Sequence, residues 1–185
     1  MRNIKLILVA LSMLPATAHS LEEPFFPRVT AANLEKQRVV LPRDFAGDRN
    51  IVVIAFQRRQ QADVDSWAPW LNGLEQAWRD VRWYELPTLS KTTGAVVGWL
   101  VDRSMRRGIA DQKRRQRTIP LHVDKGRFRD RTGLPDGEDE IQVLVVTRRG
   151  TILGRASGRY SEAKAARIQA ALAPREKSPP GTVRS

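Results

Sequence analysis

The chain contains no cysteine and only two histidines, His19 and His122, and these counts decide most of the chemistry open to it. Thiolate nucleophiles, disulfide exchange, iron–sulfur clusters and thiolate zinc sites all require a cysteine sulfur and are excluded. A Ser–His pair would have to use His122, which stands between Leu121 and Val123 in a strand pattern where alternate positions are ordinarily a solvated face. A hydrolytic or ligand-transforming site would therefore draw on Gln61, Asp63 or His122. The run Asp136-Gly137-Glu138-Asp139-Glu140 offers carboxylate oxygens to a divalent cation but matches no calcium-loop spacing, so it reads as a solvated acidic loop. Neither a metal site nor a cofactor is expected.

Charge is the second constraint. With 32 basic and 20 acidic residues the formal charge is +12, which favours anionic surfaces without selecting one. The strongest local bias lies in Arg103, Arg106, Arg107, Lys113, Arg114, Arg115 and Arg117, with Asp102 and Asp111 as the acids among them. This segment, with Trp99, is the candidate partner-binding region, the partner being another protein or an anionic membrane surface; reading the arginines as structural would pair them with the Asp136–Glu140 loop. Tryptophans beside many arginines suit nucleic-acid stacking, but Trp67 and Trp78 fall on an apolar helical stripe and Trp83 in a strand, where core packing accounts for them. Nucleic acid is not an expected partner. Trp70 lies off that stripe and is the aromatic available to a ligand.

These residues need elements to carry them. Arg2 and Lys5 precede the apolar run Leu6–Leu14, and small residues follow at Ala16, Ala18 and Ser20, the pattern of a secretory signal peptide over residues 1–20 and about half the length of a membrane span. The expected product is exported, periplasmic or secreted. Residues 21–37 show no sustained period and read as an extended arm lying on the domain. Val39–Leu41 is a short strand. The continuous apolar run Ile51–Phe56 predicts a strand covered on both faces. Val64, Trp67, Leu71, Leu74 and Trp78 recur at helical spacing, and Val81–Leu86 is a second strand closed by Pro87. Residues 88–118 read as a basic helical insert with an apolar stripe through Val96, Val97, Leu100, Val101 and Met105. Ile119–Val123 is a strand, Gly126–Thr132 a short helix ended by Gly133, Ile141–Thr147 and Thr151–Ala156 a hairpin, and Ser161 starts the last helix. Residues 174–185 are a polar tail expected to be disordered.

Gln61 follows Phe56 by five positions and Pro69 follows Gln61 by eight, the spacing of aromatic strand end, first active-site cysteine and helix-kinking proline in secreted thioredoxin-like proteins. The segments Val52–Phe56, Ala68–Leu71, Ile119–Gly126 and Val143–Leu153 resemble the central strand, kinked helix and later strands of that superfamily. The resemblance covers residues 38–173 and implies an α/β thioredoxin-like three-layer sandwich with a central mixed sheet. It places Gln61 and Val64 at the two cysteine positions, a vacated active-site turn, and it puts the family's cis-proline near Glu140, where the sequence has none. Among Cys-less members, Phe56-Gln57-Arg58, Val64-Asp65-Ser66-Trp67 with Pro69, and Met105-Arg106-Arg107-Gly108-Ile109 resemble the assembly-factor family that serves the membrane sector of mitochondrial ATP synthase and has bacterial relatives. That resemblance implies a chaperone-like binder in place of an enzyme. Binding of anionic envelope lipid or polysaccharide is the further alternative.

Overall fold

The run from Ile51 to Ile54 is buried on both faces, because it lies in the middle of a five-stranded sheet clad by helices on each side. The computed structural model describes residues 23–90 and 107–173; the expected signal peptide, the tail 174–185 and the insert residues Trp99, Arg103 and Arg106 lie outside them. In chain order the elements are β1 (Val29–Ala32), β2 (Arg38–Leu41), β3 (Arg49–Ala55), a single 3-10 turn (Arg58–Gln60), α1 (Gln61–Ala77), β4 (Val81–Ser90), α2 (Gln112–Arg117), β5 (Leu121–Val123), α3 (Lys125–Thr132), β6 (Gln142–Thr147), β7 (Ile152–Ser157) and α4 (Glu162–Leu172).

The main sheet has the order β5-β4-β3-β6-β7. β3 pairs in parallel with β4 and antiparallel with β6, and β4 pairs in parallel with β5, so the sheet is mixed. Strand alternation then assigns the two faces. Ile51 and Val53 point with Val143 and Val145 toward Trp67 and Leu71 of α1 and Ile168 and Leu172 of α4. Val52 and Ile54 point the other way, with Leu144 and Val146, toward Phe26, Phe45 and Phe128 of α3. One helix–sheet–helix stack results, with an aromatic cluster on the second face: Phe26 meets Phe45 at 5.9 Å and Phe128 at 5.6 Å, both near edge-on. No helix among the described residues is long and apolar enough to cross a membrane.

Some boundaries differ from these expectations. The arm lies on the domain, with Phe26 and Leu34 buried, and it contains a strand the sequence did not show, since β1 pairs antiparallel with β2 from Val29↔Leu41 to Ala32↔Arg38. Its short alternating stretch gave too little period to register in sequence. β4 does not stop at Pro87; it runs to Ser90, so residues 88–90 are strand and not the start of a helical insert. Pro87 lies opposite Ala55, the last residue of β3, and just before Thr88, the first residue paired with β5, where one ladder ends and the next begins and a missing N–H is tolerated. Within the insert Arg107 and Gly108 are helical, and α2 follows, capped by Asp111, whose carboxylate accepts from the Lys113 and Arg114 N–H groups at 3.0 and 3.2 Å. The strand expected from Ile119 begins at Leu121. Elsewhere the signals hold: Gly133 ends α3 in the left-handed region at φ 61°, and Ser161 caps α4.

Candidate functional site

The turn between β3 and α1 is closed by a side chain that the sequence pattern did not single out. Gln60 is 2% exposed. Its Oε1 accepts from the backbone N–H of Phe56 at 2.8 Å and of Gln57 at 3.0 Å, and its Nε2 donates to the Glu138 carbonyl at 2.7 Å. One amide thus satisfies three backbone groups and staples the turn to the loop that precedes β6. Around it the Glu138 carboxylate accepts from Lys125 at 2.9 Å and Arg129 at 3.1 Å, and Lys125 also donates to the Phe56 carbonyl at 3.2 Å. Arg59 and Asp139 pair at 3.1 Å on the outside. The loop read as freely solvated is therefore tied down at Glu138 and Asp139. Gln60 was hidden within the polar run Gln57–Gln61; the mark of it in sequence is only that a polar run directly follows a strand buried on both faces.

Gln61 and Val64 occupy the first turn of α1. Gln61 is exposed and donates to Asp65 at 3.1 Å, whereas Val64 is buried in the core at 3% exposure. A neutral amide and an isopropyl group supply neither a nucleophile nor a proton near neutral pH. Asp63 is 3.8 Å from Arg159, and His122 lies on the outermost strand, opposite Leu89 in the β4–β5 register. Trp70 is half-buried, stacked edge-on against Trp67 at 5.9 Å and beside Tyr160 at 6.4 Å, with the Trp67 indole N–H donating to the Gly158 carbonyl at 3.0 Å. The trio pins α1 to the β7–α4 loop, with Trp67 buried and Trp70 and Tyr160 each half-buried.

The basic candidates divide. Arg107 is exposed. Arg114, Arg115 and Arg117 turn into the body, and the acids they meet are neither their own neighbours nor the Asp136–Glu140 loop: Arg114 binds Asp65 at 2.6 Å and Glu85 at 2.9 Å, Arg115 binds Glu35, and Arg117 approaches Glu75 at 3.5 Å. The segment has few acids of its own, and the carboxylates that neutralise these three arginines come from the β1–β2 connection, α1 and β4. Arg117 also lies over the Trp83 ring at 4.4 Å, while Asn72 accepts from both, from Arg117 at 3.1 Å and from the Trp83 indole at 3.2 Å. Burial raises the Glu85 carboxyl above its ordinary range, and the Arg114 guanidinium pulls against that rise without cancelling it. Between α1, β4 and α2 these groups frame a groove of approximately 450 Å³ lined by Ala68, Asn72, Gln76, Trp83, Lys113 and Arg114 among others.

This architecture is that of known proteins. The chain superposes on a putative electron transfer protein from Aquifex aeolicus with a TM-score of 0.55 at 10% identity, covering 80% of this chain and 96% of that one. BsSco, a member of the Sco family of cytochrome c oxidase assembly proteins, gives 0.53 at 11%, covering 80% and 91%. The exposed lipoprotein thioredoxin of Streptococcus pneumoniae gives 0.52 at 11%, covering 78% and 98%. The fold is thioredoxin-like. Neither a family model nor a curated protein matches the sequence. A thioredoxin-like chain with no cysteine cannot run the thiol chemistry of an oxidoreductase, whatever its fold. The X–Pro cis bond among the described residues is Leu41–Pro42, not a bond before β6, where Glu140 stands.

Proposed function

We propose that this chain is an exported, redox-inactive thioredoxin-like binding protein, a chaperone-like assembly factor for an envelope or membrane complex, and not an enzyme. The observation that carries the reading is the Gln60 staple: the turn that would bear a reactive pair holds Gln61 and Val64 instead, and the Gln60 amide closes it with two hydrogen bonds from its own backbone and ties it to the neighbouring loop with a third. A rigid, chemically inert turn suits recognition and defeats covalent chemistry. Export rests on the n-region, apolar run and small-residue pattern of residues 1–20; the exposed lipoprotein thioredoxin is a neighbour of the same fold. The assembly role rests on the resemblance to the Cys-less assembly factors, and BsSco is an assembly protein built on this fold.

The client surface we assign is the insert segment that carries Trp99, Arg103, Arg106 and Arg107 in sequence, together with exposed Lys113 at the groove rim, since Arg114, Arg115 and Arg117 serve the fold. Capture from solubilised envelope with the tagged protein, followed by a thiol-reduction assay on the same preparation, tests this. The expected result is a defined protein client, lost in Arg103→Glu/Arg106→Glu/Arg107→Glu, and no turnover of a disulfide substrate. Turnover abolished by changing Gln61, Asp63 or His122 alone would instead establish the hydrolytic or ligand-transforming reading.

A further inference from the structure

Phe25 is 45% exposed, the one large apolar side chain among the described residues that stands open to solvent. It is held there by backbone on both sides: its N–H donates to the Arg131 carbonyl at 2.8 Å, the Phe26 N–H donates to the Gly150 carbonyl at 2.8 Å, and Phe25 bridges Thr151. The ring therefore rests over the β6–β7 turn, where Gly150 takes φ 95° and has no side chain to compete for the space. Arg148 and Arg149 form that turn, Arg131 ends α3, and Arg28 follows three residues after Phe25; all four are exposed. Arg148 Nε donates to the Arg43 carbonyl at 3.4 Å, which brings Arg43 to the same end. The acids at this end are Asp44, already engaged by Arg43 at 2.7 Å and by the Val40 N–H, and the exposed Glu23, Asp48, Asp80 and Asp130. β6 runs antiparallel to β3, so this end is the pole opposite the Gln60 turn.

We infer that this pole, and not the insert, is a docking surface for an anionic lipid bilayer, with Phe25 entering the headgroup boundary and the arginines meeting lipid phosphates. The chemistry of this face selects a bilayer over a protein. An exposed aromatic on a turn that carries exposed Arg148 and Arg149, with exposed Arg28 and Arg131 at the same end, joins an apolar group to a cluster of positive charge, the pairing that anionic headgroups over acyl chains accept. This inference does not depend on which client the insert takes.

The test is partition of the protein recovered from an exporting host onto phosphatidylcholine vesicles with and without phosphatidylglycerol, at low and high salt. Binding is expected only to the anionic vesicles and is expected to fade with salt. An arginine at an anionic surface is worth about fivefold in affinity, so Arg148→Glu/Arg149→Glu should lower partition by about 25-fold or more and flatten the salt dependence. Phe25→Ser should lower it severalfold and Phe25→Leu should restore it, with melting profiles recorded for each. Among the described residues Arg149 makes no ion pair or side-chain hydrogen bond, so Arg149→Glu alone keeps the test open if a Phe25 variant unfolds. No partition at low salt, or loss caused by Arg107→Glu/Lys113→Glu in place of the turn variants, overturns the inference. So does equal binding to soluble heparin together with indifference to Phe25→Ser.

Discussion

α1 is held by polar contacts at two places that differ in kind. At its N-terminal end Gln60 is neutral, 2% exposed and bonded only to backbone. Along its flank Asp65, Asn72 and Glu75 meet Arg114 and Arg117 of α2, with Glu85 beneath them. A buried amide that finds all its partners carries a small desolvation cost, and its bonds are indifferent to salt and pH. A guanidinium–carboxylate cluster carries a large one, repaid only while every member is present. The first contact fixes a turn once. The second fastens a six-residue helix, too short to be stable alone, and with it the returning end of the insert.

The largest effect should follow from breaking the charged clasp at one partner. Arg114→Met leaves Glu85, whose side chain is 5% exposed, without its cation, and loss of one member of a buried pair costs about 3 to 5 kcal/mol; partial exposure of Arg114 points to the lower end, about 3 kcal/mol. Arg114→Met/Glu85→Leu should recover most of that loss in urea denaturation. A double variant as unstable as the single one would mean that Arg114 acts through packing alone.

Gln60→Leu comes next. It strands the Phe56 and Gln57 N–H groups and the Glu138 carbonyl, each worth about 1 to 3 kcal/mol when buried and unmet, but Gln57 lies at the surface and water can reach part of the gap. A loss of about 2 kcal/mol is expected, the same at low and high salt. A loss that shrinks as salt rises would show that the Lys125–Glu138–Arg129 ion pairs hold the turn, and the contrast drawn between the two contacts would fail.

The clasp should also respond to pH where the staple does not. Glu85 has a folded-state pKa above its ordinary 4.5, so its contribution to stability is complete below that value and is lost as pH rises through the folded pKa. The stability of the wild type minus that of Glu85→Gln should therefore fall as pH increases from about 4.5. In an Arg114→Met background the same fall should begin there and extend to higher pH, because the opposing cation is gone. A difference that is flat with pH would remove Glu85 as the responsive group.

How much of this was legible in sequence follows from the same physics. β3, α1 and the β6–β7 hairpin announce themselves because core burial imposes a period on their residues, and the 56, 61 and 69 spacing marks the turn. Gln60 leaves no period, since its role is to meet backbone groups whose positions the fold alone decides. Arg114, Arg115 and Arg117 read as part of a partner-binding basic segment because their acids, Glu35, Asp65, Glu75 and Glu85, are scattered over the β1–β2 connection, α1 and β4, and long-range charge pairing has no local signature. β1 was missed for a related reason: four residues of alternation are too short to stand out, and its partner follows across a turn. Pro87 misled outright, by standing where a strand passes from one ladder to the next.

The smallest expected effect lies at the Gln60 turn itself and separates its two kinds of contact within a few ångströms. Arg59 and Asp139 join the same turn to the same loop as Gln60 and Glu138, at 3.1 Å, but their side chains are 65% and 89% exposed. Water screens the pair, and holding a long arginine in one geometry costs rotamer entropy, so such pairs contribute about 0 to 1 kcal/mol. A double-mutant cycle of Arg59→Ala and Asp139→Ala should return a coupling below about 0.5 kcal/mol in low salt and none in high salt. The staple one residue away should cost several times as much to remove although it carries no charge, because burial and the number of backbone groups met, more than charge, set what a polar contact is worth here. A coupling as large as the Gln60→Leu loss would place the turn's rigidity in its surface ions, and salt should then loosen it.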